Sequence, residues 1–316
     1  MKQLKLSAIG QYYTYKEESL LPIVLSSSGY RVTWVEPYKC DVLIIGKPMS
    51  ALKLILKKGG FLLLPDHYQA LINNTLQNRH YRPVTLFHTC ENLRHDSVKT
   101  DYSISFDFSE ENDRHFRLPY WMELVDWSHE GLLGNSNKRF GKLLSINRML
   151  QPLGSNFLSK PRKAALFASH LSEPRKSFYK AINKAVPVDG YGKYFDKKIS
   201  SHSDSGFEKQ GILQNYAFNL CPENKLNPGY YTEKIPEAFL GETLPITWTD
   251  RNVSADFNPE AFINLEQMDW KNAELLDELL HSDKKLAHYA EQPLLLKAPS
   301  IEPFRAFLGN IITDAL

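Results

Sequence analysis

Charged and hydroxyl-bearing residues crowd one short stretch of the chain, Cys221-Pro-Glu-Asn-Lys-Leu-Asn-Pro-Gly-Tyr-Tyr-Thr-Glu-Lys-Ile235. An apolar run, Tyr216–Leu220, precedes it, and Ile235, Ala238 and Phe239 come after it at helical spacing. The stretch therefore reads as a loop from a strand into a helix. A helix beginning near Thr232 offers unbonded backbone N–H groups and a partial positive charge, both suited to an anion. Lys234 would add a point charge, and Arg175, at the start of an earlier helix, a guanidinium fork. Two cations near two helix starts on one sheet edge suggest a diphosphate. The same residues also describe an ordinary helix start, with Thr232 as N-cap, Glu233 against the helix dipole and Lys234 in water. Spacing alone favours that plainer description.

Metal chemistry has little support. The chain contains no Asp-x-Asp, its ten histidines are scattered, and His88 with Cys90 is a weak ligand pair. No cofactor and no required metal are expected.

The elements that must position these residues alternate between strand and helix. In the N-terminal half, strands are expected over Lys5–Ile9, Arg31–Val35, Asp41–Ile45, Phe61–Leu64, Val84–His88 and Tyr102–Phe106. Helices are expected over Glu18–Ser27 and over Ala51–Lys57, the latter stopped by Gly59-Gly60. Gly, Ser, Asn and Pro thicken between Gly131 and Arg162, where a domain boundary is expected. Beyond it come a strand at Ala164–Ala168, a helix beginning near Glu173-Pro174-Arg175, strands at Tyr216–Leu220 and Leu244–Trp248, a helix after Thr232, a long helix over Trp270–Tyr289 and a last one over Phe304–Ala315. Such alternation implies mostly parallel sheets flanked by helices. In such sheets ligands bind beyond the carboxyl ends of the strands. The domains expected are 1–155, 156–300 and a C-terminal helix, 301–316.

Composition narrows the class. The 316 residues carry 38 Lys and Arg against 36 Asp and Glu, a net charge of +2, which argues against a dedicated nucleic-acid binder. Three widely separated cysteines make no disulfide framework and fit a reducing compartment. The longest apolar runs, Val42–Ile45 and Phe61–Leu64, fall far short of the ~20 residues a membrane span needs. The expected location is cytoplasmic, with at most peripheral association at the inner face of the membrane.

The order of the motifs resembles the α1,3-fucosyltransferase family, glycosyltransferase family 10, of bacterial type. Phe218-Asn-Leu-Cys-Pro-Glu-Asn224, Tyr230-Tyr-Thr-Glu-Lys-Ile235 and Leu244-Pro-Ile-Thr-Trp248 are similar to its hallmark strand, turn, helix and next strand. Asp256-Phe-Asn-Pro259 is similar to the next motif of bacterial members. Earlier, Phe87-His-Thr-Cys-Glu-Asn92, Asp101-Tyr-Ser-Ile-Ser-Phe-Asp107 and Arg117-Leu-Pro-Tyr120 resemble motifs of the same family. Pro222, Cys90 and Thr249 depart from the pattern, replacing an aromatic and two glycines, and Pro236 falls in the first turns of the helix. The heptad repeats and basic tail of some bacterial members are absent from the sequence.

The resemblance implies an α/β protein of GT-B architecture, two Rossmann-like domains facing across a cleft, with the acceptor on the N-terminal and the GDP-sugar on the C-terminal domain. It implies inverting transfer of L-fucose from GDP-fucose to a glycan hydroxyl, α1,3 with α1,4 left open, on a Gal-GlcNAc-type unit of bacterial surface polysaccharide. Glu91 would be the base and Glu233 a second catalytic carboxylate beside the donor sugar. Arg175 and Lys234 would neutralise the leaving GDP, and Asn224, Tyr230, Gly190 and Tyr191 would complete the donor site. Acceptor-binding residues and oligomeric state are not specified. Two other readings keep these residues: transfer of another GDP-6-deoxyhexose, or a non-catalytic glycan- or nucleotide-binding module.

Overall fold

The computed structural model of the chain describes residues 1–10, 18–46, 82–108, 112–134, 141–196 and 205–316. The helix expected over Ala51–Lys57, its glycine stop and the strand expected over Phe61–Leu64 lie outside the described residues. The chain divides into two compact units. The first comprises Met1–Leu118, Trp127–Asn135 and Ser300–Leu316, the second Pro119–Asp126 and Ser136–Pro299.

In the first unit, β1 (Lys2–Ile9), β2 (Tyr30–Trp34), β3 (Val42–Ile45), β4 (Val84–His88), β5 (Tyr102–Ser105) and β6 (His115–Arg117) form one parallel sheet in the order β2-β1-β3-β4-β5-β6. Val42-Leu-Ile-Ile45 is buried at every position, as a strand covered on both faces must be. The helix α1 (Leu20–Ser27) packs beside β2. The last helix runs from Glu302 to Ala315 and returns to this unit. It buries Phe304, Phe307, Leu308, Ile311 and Ile312 at helical spacing and sets Phe304 and Phe307 each 5.3 Å from the Phe116 ring.

In the second unit, β7 (Ala164–Phe167), β8 (Val188–Tyr191), β9 (Phe218–Leu220), β10 (Leu244–Thr247) and β11 (Ile263–Asn264) are again all parallel, ordered β11-β10-β9-β7-β8. The chain leaves β7 for β8 on one side and then returns to place β9 on the other. The strand order thus reverses between β7 and β9, the place where open parallel sheets hold ligands.

Three helices flank these strands: α2 (Arg175–Ala185), α3 (Ser205–Leu213) and α4 (Lys234–Leu240). In α2, Phe178 and Ile182 stand four apart on the buried face, and Phe178 meets Trp248 at 5.4 Å and Trp270 at 4.8 Å. Burying one such phenylalanine stabilises the fold by about 1.5–3 kcal/mol.

Three expectations need correction. The single helix over Trp270–Tyr289 is two, α5 (Ala273–His281) and α6 (Asp283–Ala290). Ser282 between them is extended, and its hydroxyl accepts from the Lys285 N–H, so it ends one helix and caps the next. The helix α3, together with β6, β8 and β11, has no counterpart among the expected elements. With two glycines in nine residues, α3 has weak intrinsic propensity. The short strands His-Phe-Arg and Val-Asp-Gly-Tyr have no apolar run to mark them. Finally, Thr232 is not an N-cap: α4 starts at Lys234, and Glu233 holds the cap position without a side-chain capping bond.

Candidate active site

The loop from β9 into α4 closes on one carboxylate. Glu223, 1% exposed, accepts from the Thr232 N–H and hydroxyl at 2.8 Å each and from the Lys234 ammonium at 2.6 Å. Burying a carboxylate is costly unless its lone pairs are met, and three donors, one of them charged, meet them here. Lys234 also donates to the Asn224 side-chain oxygen at 3.3 Å. The placement of Thr232 has the same cause: its hydroxyl serves Glu223 rather than the helix end. Pro236 does no harm three residues into α4, because N–H groups of the first turn have no helical acceptor. The Glu237 N–H still reaches the Glu233 carbonyl at 2.8 Å.

Arg175 opens α2, on the other side of the β7–β9 reversal, and is 7% exposed. Burial lowers its guanidinium pKa, partly offset by the facing charge of Glu223. It nevertheless stays protonated at any biological pH. A buried cation beside a carboxylate already shared by Lys234 favours a further anion.

Arg175, Glu233 and Lys234 line one cavity with Leu166 and Phe167 of β7 and the end of β9 from Asn219 to Pro222. Its volume, ≈ 80 Å³, admits several water-sized groups, enough for phosphate oxygens. Of the expected site residues, the second unit brings Arg175, Glu233 and Lys234 together here, with Asn224 bonded to Lys234. Tyr230 is buried in the turn before Thr232, its N–H on the Asn227 carbonyl at 3.0 Å. Gly190 lies under Phe195, whose ring would stand 2.3 Å from an added Cβ. Tyr191 stacks on Phe167 and shares a 2.6 Å hydrogen bond with the Tyr216 hydroxyl, which donates to Asp189. Gly192, with φ of +95°, brings its backbone so near the Ala168 carbonyl that a Cβ would sit 2.6 Å from that oxygen.

Two carboxylates and a lysine at the site escape the sequence reading. Glu223 stands out there only as part of a motif, although an acid directly after a buried strand needs partners. Glu237 is buried and takes both its oxygens to the Lys209 ammonium at 3.2 Å. Burial pushes its carboxyl from an ordinary 4.5 up to about 7, with Lys209 pulling it down and Glu233 adding to the rise. A carboxyl raised on folding binds more protons folded than unfolded. Its contribution to stability is therefore complete below pH ~4.5 and lost as pH climbs to about 7. In urea unfolding across pH 4–8, Glu237→Gln should flatten that decline and be the more stable protein at pH 8. An equal slope in both proteins would contradict this assignment. Cys221, by contrast, is buried with its thiol pKa pushed upward by burial and by Glu223, which makes it a poor nucleophile.

Glu91 belongs to the first unit, just past β4, and is exposed. Its N–H donates to the Thr89 hydroxyl at 3.1 Å. The loop after it is fastened at Asp107, beyond β5: the His95 N–H donates to this carboxylate at 3.0 Å and the His95 ring lies 2.5 Å from it. The Ser105 hydroxyl also donates to Asp107, which is held below its ordinary value by the Ser105 and His95 hydrogen bonds despite burial. His115 joins them, and ligand atoms of His95, Asp107 and His115 lie within 4.8 Å of one another. The donor set suits a hydrogen-bonded fastening better than a metal. The Arg94 guanidinium stands 3.5 Å from Asp107, and both His115 nitrogens are engaged, with the Ser103 hydroxyl at 2.9 Å and the Asp107 carbonyl at 3.2 Å.

Solved structures share the fold of this chain. A crystal structure of an α1,3-fucosyltransferase superposes with a TM-score of 0.69 at 25% identity, covering 99% of this chain and 90% of that one. A second, with GDP-fucose, gives 0.68 at 22% identity over 99% and 91% of the two chains. Fold and site thus define a protein of the GT-B glycosyltransferase class. Residues 157–292 match the model for the glycosyltransferase family 10 (fucosyltransferase) C-terminal region, and residues 65–124 the α-(1,3)-fucosyltransferase FucT N-terminal domain. The chain is 33% identical over 206 residues to the α-(1,3)-fucosyltransferase FucT of Helicobacter pylori, a match covering 59% of this chain and 41% of that protein. The chain belongs to glycosyltransferase family 10, the α1,3-fucosyltransferase family. The match spans about two fifths of the length of this curated relative. Among the described residues, no helix is long and apolar enough to cross a membrane.

Proposed function

We propose that the protein is a GDP-fucose-dependent fucosyltransferase, moving L-fucose with inversion onto a glycan hydroxyl. The acceptor in this reading is a Gal-GlcNAc-type unit of bacterial surface polysaccharide, the new bond is α1,3, and the work is done in the cytoplasm or at the inner membrane face. The observation that carries the donor assignment is the convergence of buried Arg175 with Lys234 on one cavity at the β7–β9 reversal. The family membership and the relative solved with GDP-fucose support it.

Inversion requires one displacement. The acceptor oxygen attacks the anomeric carbon, the bond to the diphosphate breaks, and GDP leaves with the electron pair. Glu91 accepts the acceptor hydroxyl proton, and such general-base help is worth ~10²–10⁴ in rate. Arg175 and Lys234 meet the charge that grows on the leaving diphosphate, where preorganised cations act most strongly. Glu223 keeps the Lys234 ammonium aimed without competing motion. Glu233, on the cavity wall, stands against the positive charge developing on the sugar, while Asn224, Tyr230, Gly190 and Tyr191 complete the donor side of the site.

The test is transfer itself: GDP-fucose and a panel of small β-galactosyl-GlcNAc acceptors, with products read by mass spectrometry and the anomeric configuration by NMR. Hydrolysis alone, or no product with any acceptor, would remove the assignment. Since protein cations meet the diphosphate charge, EDTA should leave most of the activity in place. Complete loss, restored only by Mn²⁺ or Mg²⁺, would mean that a metal does this work.

A further inference from the structure

The cavity at the β7–β9 reversal has a third cation, one with no part in the displacement just described. Lys209, on α3, lines it together with Arg175 of α2 and Lys234 of α4, so cations from three helices converge around the ends of two strands. Glu237 lines it too, three residues beyond Lys234 and hence on a neighbouring face of the same helix. Both Glu237 oxygens lie 3.2 Å from the Lys209 ammonium, which fixes the end of a four-carbon side chain against the cavity wall.

Stability gives little reason for the arrangement. The side chains are 24% and 11% exposed, and at such burial desolvation offsets much of the attraction within a pair. The local charge count gives a better one. Among the described residues, Arg175, Lys209 and Lys234 are matched by Glu233 and Glu237 on the cavity wall and by Glu223 behind Lys234. Glu223 is already committed to Thr232 and Lys234. An incoming diphosphate needs a cation whose own counter-ion can yield, and Glu237, whose carboxyl burial pushes up to about 7, is the partner of Lys209.

We propose that Lys209 is a donor-binding residue whose ammonium takes a phosphate oxygen of the nucleoside diphosphate sugar, with Glu237 as the counter-ion that holds it ready. The proposal rests on the cavity being the donor site, and its test separates the two. GDP, GDP-fucose and guanosine dissociation constants are measured by calorimetry on wild type, Lys209→Met, Glu237→Gln and the double variant. Because Lys209→Met leaves Glu237 buried without its cation, the double variant, which removes both charges, keeps the comparison sound if the single one folds poorly.

Loss of one charge-assisted contact should weaken GDP roughly tenfold or more in Lys209→Met and in the double variant. Guanosine, which has no phosphate, should bind all four proteins alike. Glu237→Gln, which frees the ammonium from its counter-ion, should bind GDP at least as tightly as wild type. The proposal is overturned if the double variant binds GDP like wild type. It is equally overturned if only GDP-fucose, and not GDP, is weakened, since the ammonium would then touch the sugar. Failure of wild type to bind GDP would remove the donor-site reading itself, and this inference with it.

Discussion

Glu91→Gln is expected to lower kcat by ~10²-fold or more while leaving GDP-fucose affinity nearly unchanged. Glutamine keeps the size and shape of the side chain but cannot accept the proton. Glu91 is exposed, its N–H stays on Thr89, and the loop beyond it remains fastened through His95 to Asp107. Single-turnover measurements with saturating donor check the effect on chemistry, and calorimetry with GDP checks that the donor site is untouched. Turnover within a few fold of wild type would place the base elsewhere. A matched loss of donor binding would show that Glu91 works on the donor instead.

GDP should raise the melting temperature, and the rise should depend on Arg175 and Lys234. At a hundred times its dissociation constant, a ligand that binds only the folded form stabilises by ~2.7 kcal/mol. For a unit of 150–250 residues that corresponds to roughly 5–10 °C. Arg175→Ala and Lys234→Ala each remove a charge-assisted contact of ~1.5–3 kcal/mol and should shrink the rise at fixed GDP. The two differ before ligand is added. Lys234→Ala strips Glu223 of its charged hydrogen-bond donor and, among the described residues, leaves the buried carboxylate hydrogen-bonded by Thr232 alone, so it should also melt lower on its own. Glu91→Gln should respond to GDP like wild type. An unchanged wild-type melting temperature, or full responses from both cation variants, would return the β9–α4 loop to being a structural helix start.

Much of the fold is written in local pattern. Val42–Ile45 and Val84–His88 are apolar runs too short for helices, and each is a strand of a parallel sheet. The alternation of such runs with amphipathic stretches leaves few architectures other than parallel α/β, because each element must bury one face against the next layer. The motifs around Glu91, Arg175, Glu233 and Lys234 carried the family, since their order over the chain is far more specific than any one spacing.

What the sequence could not supply depends on partners distant along the chain. Thr232 has the chemistry of an N-cap, and only the fold brings Glu223 to its hydroxyl and to Lys234, so one buried carboxylate ties the two ends of the loop together. Glu237 looks like an ordinary acid in the first turn of a helix. Its shifted titration comes from burial against α3, a helix whose glycines hide it from propensity. Strand order is likewise non-local: nothing in β7, β8 or β9 says that β9 returns to the far side of β7, yet that reversal opens the cavity. Sequence determines which groups are present and which segments can become strand or helix, because those depend on neighbours a few residues away. Burial, counter-ions and the meeting of three helices at two strand ends are decided by tertiary structure, because the free energy of a charge depends on everything within several ångströms of it.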